Sequence, residues 1–376
     1  MEVTLGQVKQ LLDLIVHEEP WRVTPCVEGQ AGVGKSSIVR QFCAERSYPL
    51  VEVNTASAVT EPGDILGMPM KDNGKTVYAP VFWALEANQF AEEILAAGEE
   101  RERKVILMFD DYNRVPAQVL QSMMSIFLDY KVGVTKLLKP VRIILTGNPS
   151  GSREYAARAL DKAQADRVQT IKVRFDLDEF ITYAISNQFN AEWTAFCKAY
   201  PEMFADGGMS VGGKRKASEG DAGISSRCAE FASQALNTVQ YRGYNLDSDI
   251  ARIRLDAIVG EHIRASFFTN LKIQSKILQP AEIVSGKIRE KVFEEMIDRP
   301  DLIYLTYVRL ASHVCREEKN LTPADLNHLR QFLVRVEQDE VNALFLRMVQ
   351  GHSQALSRKI LDHETFITLK SRLWGS

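Results

Sequence analysis

Gly29-Gln30-Ala31-Gly32-Val33-Gly34-Lys35-Ser36 is the stretch that decides the fold of this chain. It fits G-x-x-x-x-G-K-[ST], a phosphate-binding loop. The phosphates of a nucleoside triphosphate need many donors packed against them. Three glycines let the backbone wrap tightly enough for successive N–H groups to point inward. The helix that follows adds the positive end of its dipole. In this reading Gly29, Gln30, Ala31, Gly32, Val33, Gly34, Lys35, Ser36 and Ser37 form the cradle. Lys35 reaches the β- and γ-phosphates of ATP and Ser36 ligates Mg²⁺. The flanks agree: residues 22–28 read as a short strand entering the loop, and residues 37–44 as the helix leaving it.

Working outward, strands and helices alternate. Thr4 and Gln7 fit a capping box, and Leu5, Val8, Leu11, Leu12 and Ile15 mark one face of a first helix. Residues 50–54 read as a second strand. Residues 68–71 and 75–78 flank Asp72-Asn73-Gly74 as a β-hairpin. A helix follows over 81–97. Residues 105–109 are an uninterrupted apolar run, as a strand covered on both faces requires. Pro116 opens a helix with Leu120, Met123, Met124 and Phe127 on one stripe. Residues 141–145 and 169–175 complete the strands. This alternation implies an α/β fold, a parallel sheet with helices on both faces, up to about residue 176.

Beyond residue 178 the periodicity is almost wholly helical. Residues 205–223 interrupt it with glycines and Lys214-Arg215-Lys216, a composition expected of a flexible loop, the basic triplet reading first as solvated. Helices are expected over 226–239, 248–268, 281–297, 302–313, 323–348 and 353–373, with a break at Pro280. The expected division is an α/β core over 1–177, a helical segment over 178–280 that contains the loop, and a helical extension over 281–376.

Composition narrows the class. A chain of 376 residues exceeds what one core usually serves, so two or three subdomains are expected. Hydrophobic content of 45% and charged content of 25% are those of an ordinary globular protein, and a net charge of −3 argues against a protein that coats nucleic acid. Five scattered cysteines without C-x-x-C spacing read as reduced, buried thiols. The six histidines lack metal spacing. No leader segment or membrane-length apolar stretch is apparent, so a cytoplasmic location is expected.

A phosphate loop needs a carboxylate at the tip of a neighbouring strand to hold the Mg²⁺ water shell. Val105-Ile106-Leu107-Met108-Phe109-Asp110-Asp111 supplies it. Asp110 is the natural Mg²⁺ partner, and Asp111 is placed to polarise the attacking water. Thr146-Gly147-Asn148-Pro149 directly follows the next buried strand. Asn148 reads either as the start of an Asn-Pro turn or as a polar group between the two loops that orients water or touches the γ-phosphate. Arg167 just precedes the last strand. Taken alone it reads first as a surface salt bridge, and second as an arginine finger reaching a neighbouring subunit's phosphate.

Taken in order, these elements resemble the AAA+ ATPases of the MoxR type, including their phage-encoded relatives. The matching runs are residues 29–36, Glu61-Pro62-Gly63-Asp64-Ile65-Leu66-Gly67, Asp110-Asp111-Tyr112-Asn113-Arg114-Val115-Pro116, Ile144-Leu145-Thr146-Gly147-Asn148-Pro149 and Ala163-Gln164-Ala165-Asp166-Arg167. Ile224-Ser225-Ser226-Arg227 looks like the start of a lid helix. The resemblance covers roughly residues 1 to 270, and Asn-Arg-x-Pro and Ala-Gln-x-Asp-Arg are its most discriminating parts. It implies a P-loop NTPase core of AAA+ type with a helical lid, ATP bound between subunits, and a hexameric ring. It implies Asn148 as sensor 1, Arg167 as the finger acting in trans and Arg227 as sensor 2. It also implies work as a remodelling or assembly ATPase on a protein client, often beside a von Willebrand factor A-domain partner. The Asn73-Gly74 hairpin falls where the group carries a pore-facing insertion, and residues 132–139 fall at its pre-sensor-1 hairpin. The chain departs from the group in three places: Asp111 stands where Glu is usual, Val168 where Phe is usual, and Arg227 lacks a preceding proline.

Three functions compete. The first is an ATP-hydrolysing ring that remodels a protein partner. The second is a nucleotide-gated switch or scaffold with very slow hydrolysis, motivated by the short acid at 111. The third is a nucleic-acid motor or loader, which the mild acidity and the absence of a basic-aromatic groove disfavour. A small-molecule kinase would leave the sensor and finger residues without purpose.

Overall fold

The computed structural model describes residues 1–19, 23–150, 157–160, 162–204, 223–274, 277–336 and 338–361. The expected loop over 205–223 and its basic triplet lie, but for Gly223, outside the described residues. The chain divides into two compact units, Met1–Phe175 and Asp176–Ser376.

Among the described residues of the first unit ten strands follow in chain order: β1 (Glu2–Val3), β2 (Thr24–Glu28), β3 (Leu50–Asn54), β4 (Met68–Asp72), β5 (Lys75–Ala79), β6 (Val105–Asp110), β7 (Lys131–Val132), β8 (Thr135–Lys136), β9 (Val141–Gly147) and β10 (Val168–Val173). Six form one sheet in the order β1-β10-β2-β9-β6-β3, and every neighbouring pair in it is parallel. Alternate residues of each strand serve opposite faces, as the period of two demands. Ile106 and Met108 of β6 and Ile144 of β9 pack with Val8, Leu12, Ile38 and Phe42 of helices Leu5–Ile15 and Lys35–Arg46. Val105, Leu107 and Phe109, with Ile143 and Leu145, pack on the other face with Ala87, Ala91, Leu120, Met123 and Phe127 of helices Phe82–Ala97 and Ala117–Asp129. This double cover explains the apolar run in β6. Each large side chain so buried stabilises by about 1.5–3 kcal/mol before entropy is counted.

The expected elements of this unit are all present. Thr4 caps the first helix in a capping box with Gln7. β4 and β5 pair antiparallel around Asn73-Gly74, whose φ values of 48° and 76° are those of a tight hairpin turn. β7 and β8 form a second, smaller hairpin. β1, two residues long, escapes any periodicity argument.

The second unit is helical. Its helices are Leu177–Ser186, Ala191–Ala199, Ser226–Tyr241, Asp249–Gln274, Pro280–Val284, Glu290–Ile297, Pro300–Arg316, Pro323–Val336, Asp339–His352 and Gln354–Leu361. Helix Pro300–Arg316 packs on Ala191–Ala199, and Asp339–His352 packs on Leu177–Ser186. Segments far apart in the chain therefore share one core, in which Trp193, Phe196 and Phe267 meet with ring centroids 5.3–5.4 Å apart.

Two expected single helices are corrected to pairs. The 281–297 stretch breaks at Gly286, which sits at φ 73° against the His328 ring, where a β-carbon would come within 2.9 Å. The 323–348 stretch breaks before Asp339, where Gln338 is extended. Asn342 of the second piece donates to the carbonyl of Leu333 in the last turn of the first, satisfying a helix-end acceptor. The expected 248–268 helix is kinked at Gly260, with φ 79° and ψ 167°.

Candidate functional site

The carboxyl ends of β2, β6 and β9 are adjacent in the sheet, and the phosphate loop, the acid pair and Asn148 leave from these ends. Open parallel sheets bind ligands at this edge. After Glu28 the chain turns through Gly32 at φ 83° and Gly34 at φ 107°, values that require glycine. Gly34 caps helix Lys35–Arg46, so the first helical N–H groups face the loop.

Lys35 is buried. Its ammonium donates to the carbonyls of Gly29 and Gln30, both at 2.8 Å, and to Asn148 Oδ1 at 3.0 Å. Ser36 Oγ donates to Asp110 Oδ1 at 2.6 Å. Ser37 is exposed on the first helical turn. Asp110 closes β6, and its backbone carbonyl accepts from Thr55 Oγ1 at 2.6 Å.

Asp111 stands in the left-handed region at φ 54° and turns the chain into a short 3-10 helix, Tyr112–Arg114. Its Oδ1 accepts from Asn148 Nδ2 at 3.0 Å, and its Oδ2 pairs with Arg114 Nη1 at 3.2 Å. Thr146 ties the two acids together: its hydroxyl donates to Asp110 Oδ1 and accepts from the Asp111 N–H. The structure thus assembles two connected sets. One runs Ser36–Asp110–Thr146. The other runs Lys35–Asn148–Asp111–Arg114 and crosses all three strand ends.

Five of the sequence-derived residues, Lys35, Ser36, Asp110, Asp111 and Asn148, meet here. Arg167 does not join them within the same chain. It precedes β10, and its carbonyl accepts from Thr24 N–H at the start of β2. The length of β2 separates it from the loop by about 16 Å at the usual rise of a strand. Arg227 belongs to the second unit, exposed on the first turn of helix Ser226–Tyr241, whose N-cap is Ser225. Sequence reading gave no role to Thr55, Thr146, Asn113 and Arg114. They share no one local signal: Thr55 directly follows β3, Thr146 lies at the end of β9, and Asn113 and Arg114 lie in the 3-10 helix after β6.

Burial pushes the Glu28 carboxyl above the ordinary range, against the opposing influence of Lys172 and Lys35. Below the loop, burial and then Glu28 push the Cys26 thiol up to about 12, so it is no nucleophile. Among the described residues no group of three or more His, Cys, Asp or Glu side chains gathers as a metal site. Ser36 and Asp110 do provide the hard-oxygen pair that Mg²⁺ takes from protein when phosphate and water fill its other positions.

Residues 25–171 match the family described as "ATPase family associated with various cellular activities (AAA)". That segment spans all but one of the principal strands and every assembled site residue, so the first unit is an AAA domain with a P-loop AAA+ α/β fold. No curated protein matches the sequence. Among solved structures, Cdc6p from Pyrobaculum aerophilum is 11% identical, with 92% of this chain and 93% of that one covered at a TM-score of 0.42. NtrX from Brucella abortus, in complex with ADP, is 15% identical, with 100% and 70% covered at 0.37. A mutant RuvB from Thermotoga maritima is 14% identical, with 77% and 78% covered at 0.36.

Proposed function

We propose that this protein is an ATP hydrolase of the MoxR type, working as a ring to remodel or assemble a protein partner. The observation that carries the reading is the run Lys35–Asn148–Asp111, which joins the phosphate-binding cation to the carboxylate beside it through one amide. In this reading the loop N–H groups and Lys35 hold the phosphates and neutralise charge that grows on them during transfer. Ser36 and Asp110 would hold Mg²⁺, which supplies further neutralisation of phosphate charge when bound. Asp111 orients the attacking water and Asn148 fixes its direction. Arg167, about the length of a strand from its own loop, serves a neighbouring subunit, and Arg227 senses nucleotide from the lid. Such a ring is hexameric and acts on a protein client, a von Willebrand factor A-domain protein being the natural partner class. The β4–β5 hairpin, with Met70, Val77 and Tyr78 exposed, is the natural client contact. Among the described residues no helix is long and apolar enough to cross a membrane.

A specific observation favours the slower, switch-like reading as an alternative. Asp111 is a methylene shorter than the usual glutamate, and both of its oxygens are engaged, by Asn148 and Arg114. A misplacement of about 1 Å can cost on the order of 100-fold in rate.

The test is Mg²⁺-dependent ATP turnover per protomer across a protein-concentration series, with Lys35→Ala as the blank. Turnover that rises with concentration is expected if catalysis is completed across subunits. Tight ATP binding with turnover at the blank's level selects the switch instead.

A further inference from the structure

The run Asn113-Arg114-Val115-Pro116 lies just beyond the acid pair. Asn113 is buried, as is Asn148. Its side chain makes two bonds to the backbone of one residue: Oδ1 accepts from the Asn148 N–H at 3.2 Å, and Nδ2 donates to the Asn148 carbonyl at 2.7 Å. A primary amide offers one donor and one acceptor side by side, as a neighbouring strand's backbone does. β9 ends at Gly147, and its last partner pair with β6 is Phe109↔Leu145. Asn113 therefore continues the ladder past the end of the strand.

Three features hold this clamp. Asp111, in the left-handed region, turns the chain so that the Tyr112–Arg114 helix lies across the end of β9. The Asn113 carbonyl accepts from Arg158 N–H at 2.8 Å, fixing it from the other side. Gly147 permits the approach: a β-carbon there would lie 2.8 Å from Tyr112 Cε1 and 3.1 Å from Asn113 Oδ1.

We propose that Asn113 is the positioning residue that sets the backbone of Asn148 so that its side chain spans Lys35 and Asp111. The proposal rests on the ATPase reading for its kinetic consequence and on geometry alone for its structural one. With the backbone clamped, Asn148 aims Oδ1 at the cation and Nδ2 at the carboxylate. Without the clamp the amide retains its chemistry and loses its aim.

The experiment uses the full chain with Asn113→Ala, Asn113→Asp, Asn148→Ala and the double variant Asn113→Ala/Asn148→Ala. Asn113→Ala is expected to lower kcat for ATP by about 10–100-fold while ATP affinity is held, because the phosphate loop is untouched. Asn113→Asp, which keeps the acceptor and loses the donor, is expected to fall between Asn113→Ala and wild type. It also serves should Asn113→Ala fail to fold. The double variant is expected to match Asn148→Ala alone, since a residue acting only through Asn148 has nothing further to lose. Amide hydrogen exchange at Asn148 is expected to rise at least tenfold in Asn113→Ala, with exchange over the β9 interior unchanged. Wild-type kcat in Asn113→Ala, a kcat loss matched by lost ATP affinity, an additive double variant or unchanged exchange at Asn148 would each overturn the proposal. Wild-type turnover no faster than Lys35→Ala would instead overturn the ATPase reading, and the exchange measurement would still decide the role of Asn113.

Discussion

Both units bury polar side chains, and they use them differently. In the α/β unit Lys35, Asn113, Thr146 and Asn148 are all buried at the carboxyl edge of one sheet, and their partners include two carboxylates. In the helical unit Asn190 is buried as deeply, but it caps helix Ala191–Ala199 through Trp193 N–H and bonds to Ser233, Asn237 and Gln240. Asn342 joins Tyr307 Oη to a helix-end carbonyl. Buried polarity in the second unit is spent on helix ends and interhelical registry. In the first it brings a cation, two acids and an amide from distant segments to one edge. Burial alone therefore does not mark a site; convergence of charge at strand ends does.

The largest expected effect is that of Lys35→Ala, which should lower ATP turnover or affinity by on the order of 100- to 1,000-fold with little change in thermal stability. Near-normal turnover would remove the α/β unit's claim to the chemistry. Asn148→Ala comes next: kcat should fall on the order of 100-fold while equilibrium ATP binding persists, as titration with a fluorescent nucleotide would report. Asn190→Ala should do the reverse, costing about 1–2 kcal/mol in denaturant unfolding because helix Ala191–Ala199 loses its N-cap bond at Trp193 N–H. Its ATP affinity should match wild type, and a loss there would show that the second unit's polar network also serves the site.

The smallest effect belongs to Glu28→Gln. The folded-state carboxyl is raised by burial, so its charged form is disfavoured in the native protein relative to the unfolded chain. That penalty is present above the folded pKa and vanishes once pH falls below the unfolded value, where both states are protonated. Glu28→Gln should therefore raise the melting temperature modestly at pH 7, with the gain shrinking as pH approaches 4. A gain that is constant with pH would mean that charge at Glu28 is not the cause.

Much of the α/β unit was legible because its signals are local. Three glycines with Lys35, the apolar run into Asp110 and the Asn73-Gly74 turn each declare a geometry within a few residues. What was not legible was cooperative. Nothing near Asn113 announces that it clamps Asn148, 35 positions away, and nothing in the strand ending at Gly147 announces that its glycine admits that clamp. In the helical unit the periodicity of 281–297 and 323–348 is sound; the first breaks at a local cap, Gly286 in the left-handed region with Lys287 N–H bonded back to Glu282, and the second at the extended Gln338. Helices Leu177–Ser186 and Ala191–Ala199, ten and nine residues long, were given no bounds by periodicity, although Asp176 and Asn190 cap them.

The left-handed backbone at Asp111 carries a consequence for the choice of residue there. Aspartate tolerates that conformation better than a longer side chain does, because its short carboxylate can bond locally. A glutamate would extend the reach toward water and sit less comfortably on the main chain. Under the proposed hydrolysis, two demands thus meet at one position, the reach toward water and the turn that must be made. Asp111→Glu accordingly trades stability for reach, so a gain in rate in that variant should arrive with a lower melting temperature.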